Sequence, residues 1–200
     1  GRLLTPLILM LLALLFLNRM ARSIFTPYIP IFVQDSLGSV AGAAVYTGFI
    51  NGAIGIASAL AAVTLARLGD RFKKRRIVSI LTILSLPAAL LMIVPLPLPL
   101  FVAVLGIFAF VLGGVEPILT SSASEHTSPE KRGALFGFIG AVGNGAFMTA
   151  PLLGAGIAVH AGVRAILASI PVFLALQLML LLRESRAERK DEEAHGKVKK

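Results

Sequence analysis

Apolar side chains fill six long stretches of this chain, and short polar stretches separate them. Residues 42–66 and 133–159 each run for more than twenty positions without an acidic or basic side chain. About 20 mostly apolar helical residues are enough to cross the roughly 30 Å hydrocarbon core of a membrane. The pattern therefore predicts six membrane-spanning helices, at about residues 4–34, 42–66, 76–94, 100–123, 132–160 and 164–182.

The six spans are expected to form one bundle over residues 1–183, followed by a tail at 184–200. The tail mixes both charge signs and holds few apolar residues, which is typical of a solvated segment. The prolines between residues 95 and 99 cannot continue a helix and are expected to separate spans three and four. Phe25, Tyr28 and Phe32, near the end of span one, would either line a pocket or form an aromatic belt at the membrane interface, and the belt is the favoured interpretation.

Composition supports a membrane protein and excludes several other classes. The chain is 56% hydrophobic and only 14% charged, which a soluble domain of 200 residues does not match. It has no cysteine, so disulfides and thiol-based metal sites or nucleophiles are excluded. The three histidines lie far apart in the sequence, and no metal site is expected.

The basic residues predict the orientation of the spans. The net charge of +9 does not indicate nucleic-acid binding, because the charge lies in short segments beside apolar spans. Sixteen of the 19 lysines and arginines fall on the side that carries both chain ends. Because short cytoplasmic segments of membrane proteins are enriched in Lys and Arg, both termini are predicted to be cytoplasmic.

The segment between spans two and three carries the most informative motif. Residues 66–75 read A-R-L-G-D-R-F-K-K-R and resemble the G-x-L-a-D-R-x-G-R-K loop of the major facilitator superfamily, with Ala66 and Lys73 in place of the two glycines. The matching positions are Leu68, Asp70, Arg71, Lys74 and Arg75. Any cytoplasmic loop collects basic residues, but that tendency does not explain Asp70. An acid at a helix end beside cations suits a salt-bridge latch that forms in one conformation and breaks in another.

A second motif follows the fourth span. Glu125 and Arg132 have the E-x6-R spacing that many members of the superfamily show after the fourth helix of a half. Glu125 is therefore predicted to face Lys74, Arg75 or Arg76 across the cytoplasmic surface and to complete the latch. The alternative, a helix that simply starts near Ser128 with a proline in its first turn, accounts for Pro129 but not for the Glu125–Arg132 spacing.

Span five is rich in small residues. Gly137, Pro151 and Gly154 belong to a stretch that resembles, in degraded form, the glycine–proline signature of the antiporters in this superfamily. Small residues let helices approach closely in lipid, so these three are expected to serve helix packing. The degraded signature and the terminal tail imply the C-terminal half of a twelve-helix protein rather than the N-terminal half.

Four polar residues within the spans are the candidates for a substrate or proton pathway. Asn18, Arg19 and Arg22 lie in span one, and Glu116 lies in span four, immediately before Pro117. The resemblance implies that these two spans line a central cavity, and ionisable groups at membrane depth are usually functional. Glu116 would bind a proton or a cationic substrate, or else form a fixed ion pair that holds two helices together. The arginines would extend toward water or bind an anionic substrate.

The resemblance implies a transporter in the bacterial inner (plasma) membrane, an integral protein with several spans. The expected function is secondary active export of a drug or metabolite by alternating access, with no cofactor and with a proton as the coupling ion. The expected partners are the lipid bilayer, a small-molecule substrate, and either the missing N-terminal half or a second copy of this chain. The alternative is a non-transporting six-helix scaffold or assembly partner. An enzyme is not expected, because no serine-hydrolase or zinc-protease motif is present.

Overall fold

The computed structural model describes the backbone of residues 3–38 and 42–198, with side chains up to Arg183. Within these ranges every regular element is a helix, and six of the helical segments are long and apolar enough to cross a membrane. The predicted fold class, an all-helical bundle of six spans, is confirmed. The side chains of the predicted tail lie outside the described residues.

Most spans are built from more than one helical element. Short 3₁₀ turns precede α2, α8 and α9, at Thr26–Tyr28, Pro129–Lys131 and Val163–Ala168. The α-helices are α1 (Pro6–Ser23) and α2 (Ile29–Leu37) in span one, α3 (Ala43–Thr64) and α4 (Ala66–Arg71) in span two, α5 (Lys74–Ile93) in span three, α6 (Leu98–Gly113) and α7 (Val115–Glu125) in span four, α8 (Arg132–Ala161) in span five and α9 (Ser169–Val198) in span six.

The segment between spans two and three is largely helical, which corrects its interpretation as a loop. Residues 66–71 form α4, which follows α3 across Leu65 alone, and α5 already begins at Lys74. The non-helical connection is therefore only Phe72 and Lys73. Asp70 thus lies in the last turn of a helix, and Lys74 lies in the first turn of the next one.

Helix α1 is the central element of the bundle. It begins at Pro6, whose fixed φ suits a first helical position, and the Thr5 side chain caps it by accepting a hydrogen bond from the Ile8 backbone N–H over 3.3 Å. It packs against α7, α8 and α9, and Leu14, Leu15 and Met20 are almost wholly buried. The polar residues of α1 are therefore held in position by helices on three sides.

The aromatic residues at the far end of span one do not form an interfacial belt. Phe25 and Phe32 are buried and pack edge-to-face, and both rings also contact Phe101 of α6. Tyr28 is partly buried, and its hydroxyl donates a hydrogen bond to the carbonyl of Pro151 in α8 over 2.6 Å. The prediction of a belt was wrong, because tertiary packing turned these rings inward.

Helices α3 and α8 leave long apolar faces uncovered. In an 18-residue apolar stretch of each span, only 11% is buried in the span that contains α3 and 22% in the span that contains α8, against 50% in the first and fourth spans. Phe49 and Ile56 on α3, and Phe147 and Leu152 on α8, are all more than half exposed. These faces are suited to lipid or to another membrane protein rather than to water.

Candidate functional site

The structure brings two arginines of span one to the glutamate of span four. Arg19 and Arg22 lie three residues apart and therefore share one face of α1. The Nη2 and Nε atoms of Arg19 donate to Oε1 of Glu116 over 2.5 Å and 3.2 Å. The Nη1 atom of Arg22 lies 3.3 Å from the other oxygen, Oε2. One carboxylate thus accepts hydrogen bonds from two guanidinium groups, and about a quarter of each side chain remains exposed.

A break in span four positions Glu116. Pro117 has no N–H to donate to the carbonyl of Gly113, four residues earlier, and the structure ends α6 at Gly113 and begins α7 at Val115. Glu116 therefore lies in the first turn of α7, where unpaired backbone N–H groups favour a negative charge. Gly113 packs tightly against α3, where a Cβ would lie 3.1 Å from the Cα of Ser58, and a Cβ on Gly114 would lie only 2.6 Å from the Cβ of Leu65, which joins α3 to α4.

A glycine of span five makes room for Arg19. Gly143 lies on the buried face of α8, and a Cβ atom there would overlap the guanidinium of Arg19. The residue therefore contributes to the site by having no side chain. From the sequence alone Gly143 is one more small residue of a packing helix. The sequence does not show which neighbouring side chain fills the space beside a glycine.

Ser58 is a further member of the site that sequence analysis did not identify. Its hydroxyl lies on α3 and accepts a hydrogen bond from Nη2 of Arg22 over 3.1 Å. One serine in an apolar helix matches no motif, so only the packing of α3 against span four reveals its role. Arg22 thus links Glu116 of span four to span two.

Arg22, Ser58 and Glu116 border a cavity of about 700 Å³. Glu116, Thr120 and Ser124 follow at intervals of four residues and form a polar stripe along α7. Apolar side chains complete the wall, so the cavity suits an organic molecule with a few polar groups. The lining residues are Arg22, Ser58, Ala59, Ala62, Gly113, Glu116, Pro117, Thr120, Ser121, Ser124, Glu125, Arg132 and Phe136.

Asn18, the fourth predicted pathway residue, lies apart from this cavity. Its side chain is completely buried in the bundle, and it is absent from the cavity wall. Among the described residues, neither its amide nitrogen nor its amide oxygen has a hydrogen-bond partner. The structure therefore joins Arg19, Arg22 and Glu116 but not Asn18, whose side chain is enclosed in the bundle although it lies one helical turn from Arg22.

The residues predicted to form the latch are only partly brought together. Nζ of Lys74 lies 2.5 Å from Oε1 of Glu125 and 2.7 Å from Oγ of Ser121, so the start of α5 is tied to the end of α7. Arg75 instead donates to the carbonyl of Leu181 on α9 over 2.5 Å. The remaining predicted members are exposed and, within the described part of the chain, form no ion pair: Asp70, Arg71, Arg76 and Arg132.

The predicted packing residues of span five differ in what they contact. Gly154 lies against span one, where a Cβ would come within 2.6 Å of the Tyr28 ring and 3.1 Å of the carbonyl of Ile24. Pro151, one turn earlier, accepts the hydrogen bond from Tyr28 described above. Gly137 has no atom near its Cβ position and lies on the uncovered face of α8. In the described residues no group of His, Asp and Glu is arranged to hold a metal ion.

The whole-chain comparison identifies the family. The model of the Major Facilitator Superfamily matches residues 11–200, nearly all of the chain. The chain belongs to this superfamily. The similar proteins include the multidrug resistance protein MdtG of Klebsiella pneumoniae strain 342, which is 27% identical over 185 residues covering 89% of this chain and 44% of the relative.

Other relatives give the same picture. The MdtG proteins of Escherichia coli strain SMS-3-5 / SECEC and of Proteus mirabilis strain HI4320 are 27% and 28% identical, over 90% and 70% of this chain. These alignments cover 45% and 35% of the two relatives. The chain therefore spans less than half the length of the curated relatives that it matches. Its six apolar spans and its family make it an integral membrane protein with several spans.

Proposed function

We propose that this chain is one six-helix half of a secondary active transporter that exports a small organic molecule. The observation that carries the proposal is the cluster of Arg19, Arg22 and Glu116 within the spans, in which Arg22 and Glu116 line a 700 Å³ cavity and Arg19 holds Glu116 from behind the wall. Ionisable groups are costly at membrane depth and usually mark a transport pathway. The family and the multidrug resistance relatives support transport in the direction of efflux, and neither points to an enzyme.

The transporter needs a second half to enclose the substrate. The cavity wall comes from α1, α3, span four and α8, so this chain supplies one side of a central site. The uncovered faces of α3 and α8 are the surfaces on which a second half would dock. The degraded glycine–proline signature favours this chain as the C-terminal half, with an N-terminal half or a second copy as its partner. Transport would then proceed by rocking of the two halves around the site.

The proposed location is the bacterial inner membrane, with both termini in the cytoplasm. The bacterial relatives support the location, and the excess of Lys and Arg on one side supports the orientation.

Glu116 is the proposed site of proton coupling. As a carboxylate it holds two guanidinium groups, and a proton on Glu116 would release both of them. Protonation would therefore change the charge of the cavity wall and the contacts between spans one, two and four. A proton gradient can drive transport only if the two conformations bind the proton with different affinity, and this rearrangement supplies such a difference.

The test is proton-driven transport in proteoliposomes. The chain is reconstituted alone and, in parallel, together with a six-helix N-terminal half, and a panel of lipophilic cations, neutral drugs and organic anions is offered under an imposed pH gradient. We expect Glu116→Gln to abolish gradient-driven movement, and Glu130→Gln, which removes an exposed carboxylate near the inner end of α8, to leave it intact.

The alternative of a non-transporting scaffold makes the opposite prediction. If Glu116 only holds spans one and four together, Glu116→Gln would alter thermal stability. The movement of each probe would then be the same as with the wild-type chain. Folded protein that moves no probe in either preparation would favour the scaffold and overturn the proposed transport function.

A further inference from the structure

The charges on the cavity wall do not balance. Two carboxylates face the cavity, Glu116 and Glu125. Each carboxylate is held by a cation: Arg19 lies 2.5 Å from Glu116, and Lys74 lies 2.5 Å from Glu125. Neither of these two cations lines the cavity. The negative charge of the wall is therefore already matched from behind.

Two further cations remain on the wall. Arg22 shares Glu116 with Arg19 and holds the longer bond, 3.3 Å against 2.5 Å. Arg132, near the inner end of the cavity, pairs with no carboxylate among the residues that the structure describes. The described wall and the cations behind it thus carry four positive charges and two negative ones. A cleft with walls of low dielectric constant focuses such an excess and raises the local concentration of the opposite ion.

Arg22 has the geometry of an anion-binding residue. It lies between Ser58 and Glu116, about a quarter of its side chain is exposed, and it borders the cavity directly. Its guanidinium is a planar set of N–H donors that matches the oxygens of a carboxylate or similar anion. Ala62 and Phe136 on the same wall would contact the apolar part of a ligand.

We propose that the cavity binds the anionic group of an organic acid, with Arg22 as the binding cation and the Ser58 hydroxyl as an additional partner. If the proposed transport function holds, this organic acid is the class of substrate that the protein exports. The anion binding itself does not depend on transport. The anion competes with Glu116 for Arg22, so removal of the glutamate charge strengthens binding. A site selected for cations would instead present an unmatched carboxylate to the cavity.

The test compares three naphthyl probes of similar size and different charge. Binding of 2-naphthylacetate, 2-naphthylacetamide and 2-naphthylmethylammonium to the purified chain in neutral-lipid nanodiscs is measured by the fluorescence anisotropy of the naphthyl group. We expect the anion to bind about tenfold more tightly than either of the others, since hydrogen bonds to charged groups are strong. Equal affinity of the three probes, or tighter binding of the ammonium, would overturn the proposal.

Four variants separate the anion site from a loss of folding. Arg22→Gln is expected to weaken naphthylacetate binding about tenfold, and Arg22→Lys less, because the charge remains. Arg164→Gln, which removes an equal charge from an exposed residue at the outer end, should leave binding unchanged. Glu116→Gln should tighten anion binding several-fold, which a misfolded protein would not do.

The result also distinguishes this inference from the proposed function. Binding is measured at equilibrium without a pH gradient, so it does not depend on transport. Tighter anion binding by Glu116→Gln together with lost transport would support both proposals. Anion selectivity without any transport by the wild-type chain would support the site and count against the transporter. Transport with no preference for the anionic probe would support the transporter and reject the site.

Discussion

At the scale of single residues, the site depends as much on a missing side chain as on the charged ones. Arg19 reaches Glu116 because Gly143 leaves open the volume that its guanidinium fills. The flexible arginine, rather than the backbone of α8, would have to move if that volume were taken. A small change at Gly143 should therefore alter the ion pair while the fold remains.

Gly143→Ala is expected to reduce proton-driven transport at least tenfold, because the displaced guanidinium no longer reaches Oε1 of Glu116. Thermal stability should change little, because alanine favours the helix over glycine by about 1 kcal/mol and this gain offsets part of the stability lost with the ion pair. The matched control is Gly140→Ala in the same helix, where a Cβ meets no atom within 4 Å. Transport rates and thermal unfolding in detergent check the expectation, and equal rates for the two variants would contradict it.

At the scale of elements, the connection between α5 and α7 is the part of the predicted latch that the structure contains. Lys74 begins α5, Glu125 ends α7, and the pair joins the two helices at the same end of the bundle. The Glu125 side chain is 61% exposed, so water screens the interaction. Exposed ion pairs of this kind contribute only about 0–1 kcal/mol to stability. A functional role would therefore lie in choosing between conformations rather than in holding the fold together.

Charge reversal tests that role. Lys74→Glu or Glu125→Lys alone is expected to slow transport several-fold with a stability change below about 1 kcal/mol. The double swap should recover most of the rate, because it restores attraction between the same two helices. Lys73→Glu, which reverses a charge on the exposed neighbour, serves as the control. A double variant that is as slow as the single ones would show that the pairing itself is not required.

At the scale of the whole molecule, the bundle has one well-packed interior and two uncovered helices. Span one is held on several sides, whereas α3 and α8 expose large apolar residues such as Phe49 and Phe147. Exposed apolar faces next to a polar cavity are what one half of a two-part transporter requires, because the same faces can pack against the other half. The asymmetry of the basic residues predicts which side of the membrane each end of the bundle faces.

The orientation can be tested directly, because the 200 residues contain no cysteine and each introduced thiol reports a single position. A membrane-impermeant maleimide applied to intact cells should label Arg164→Cys, which lies between spans five and six, and not Glu130→Cys, which lies between spans four and five. Both positions are exposed, so both should react after permeabilisation. Labelling of Glu130→Cys but not Arg164→Cys in intact cells would contradict the predicted orientation.

The class of the protein, the number of its spans and its family resemblance follow from the amino-acid sequence. These properties depend on local composition, since about 20 apolar residues must cross the hydrocarbon whatever their neighbours are. The span pattern also places Arg19 and Glu116 within the membrane, although the sequence does not show whether they touch. The motif at 66–75 reads as a loop in the sequence, because its charges conceal that helix α4 continues span two almost without a break.

Tertiary structure alone decided which of these residues meet. Arg19, Arg22, Ser58 and Gly143 lie on α1, α3 and α8, and their convergence on Glu116 depends on helix rotation and packing distance, which local patterns do not encode. The same rotation turned Asn18 into the bundle and the rings of Phe25 and Phe32 into the core. The charge excess on the cavity wall is also a tertiary property, because it depends on which cation stands behind each carboxylate.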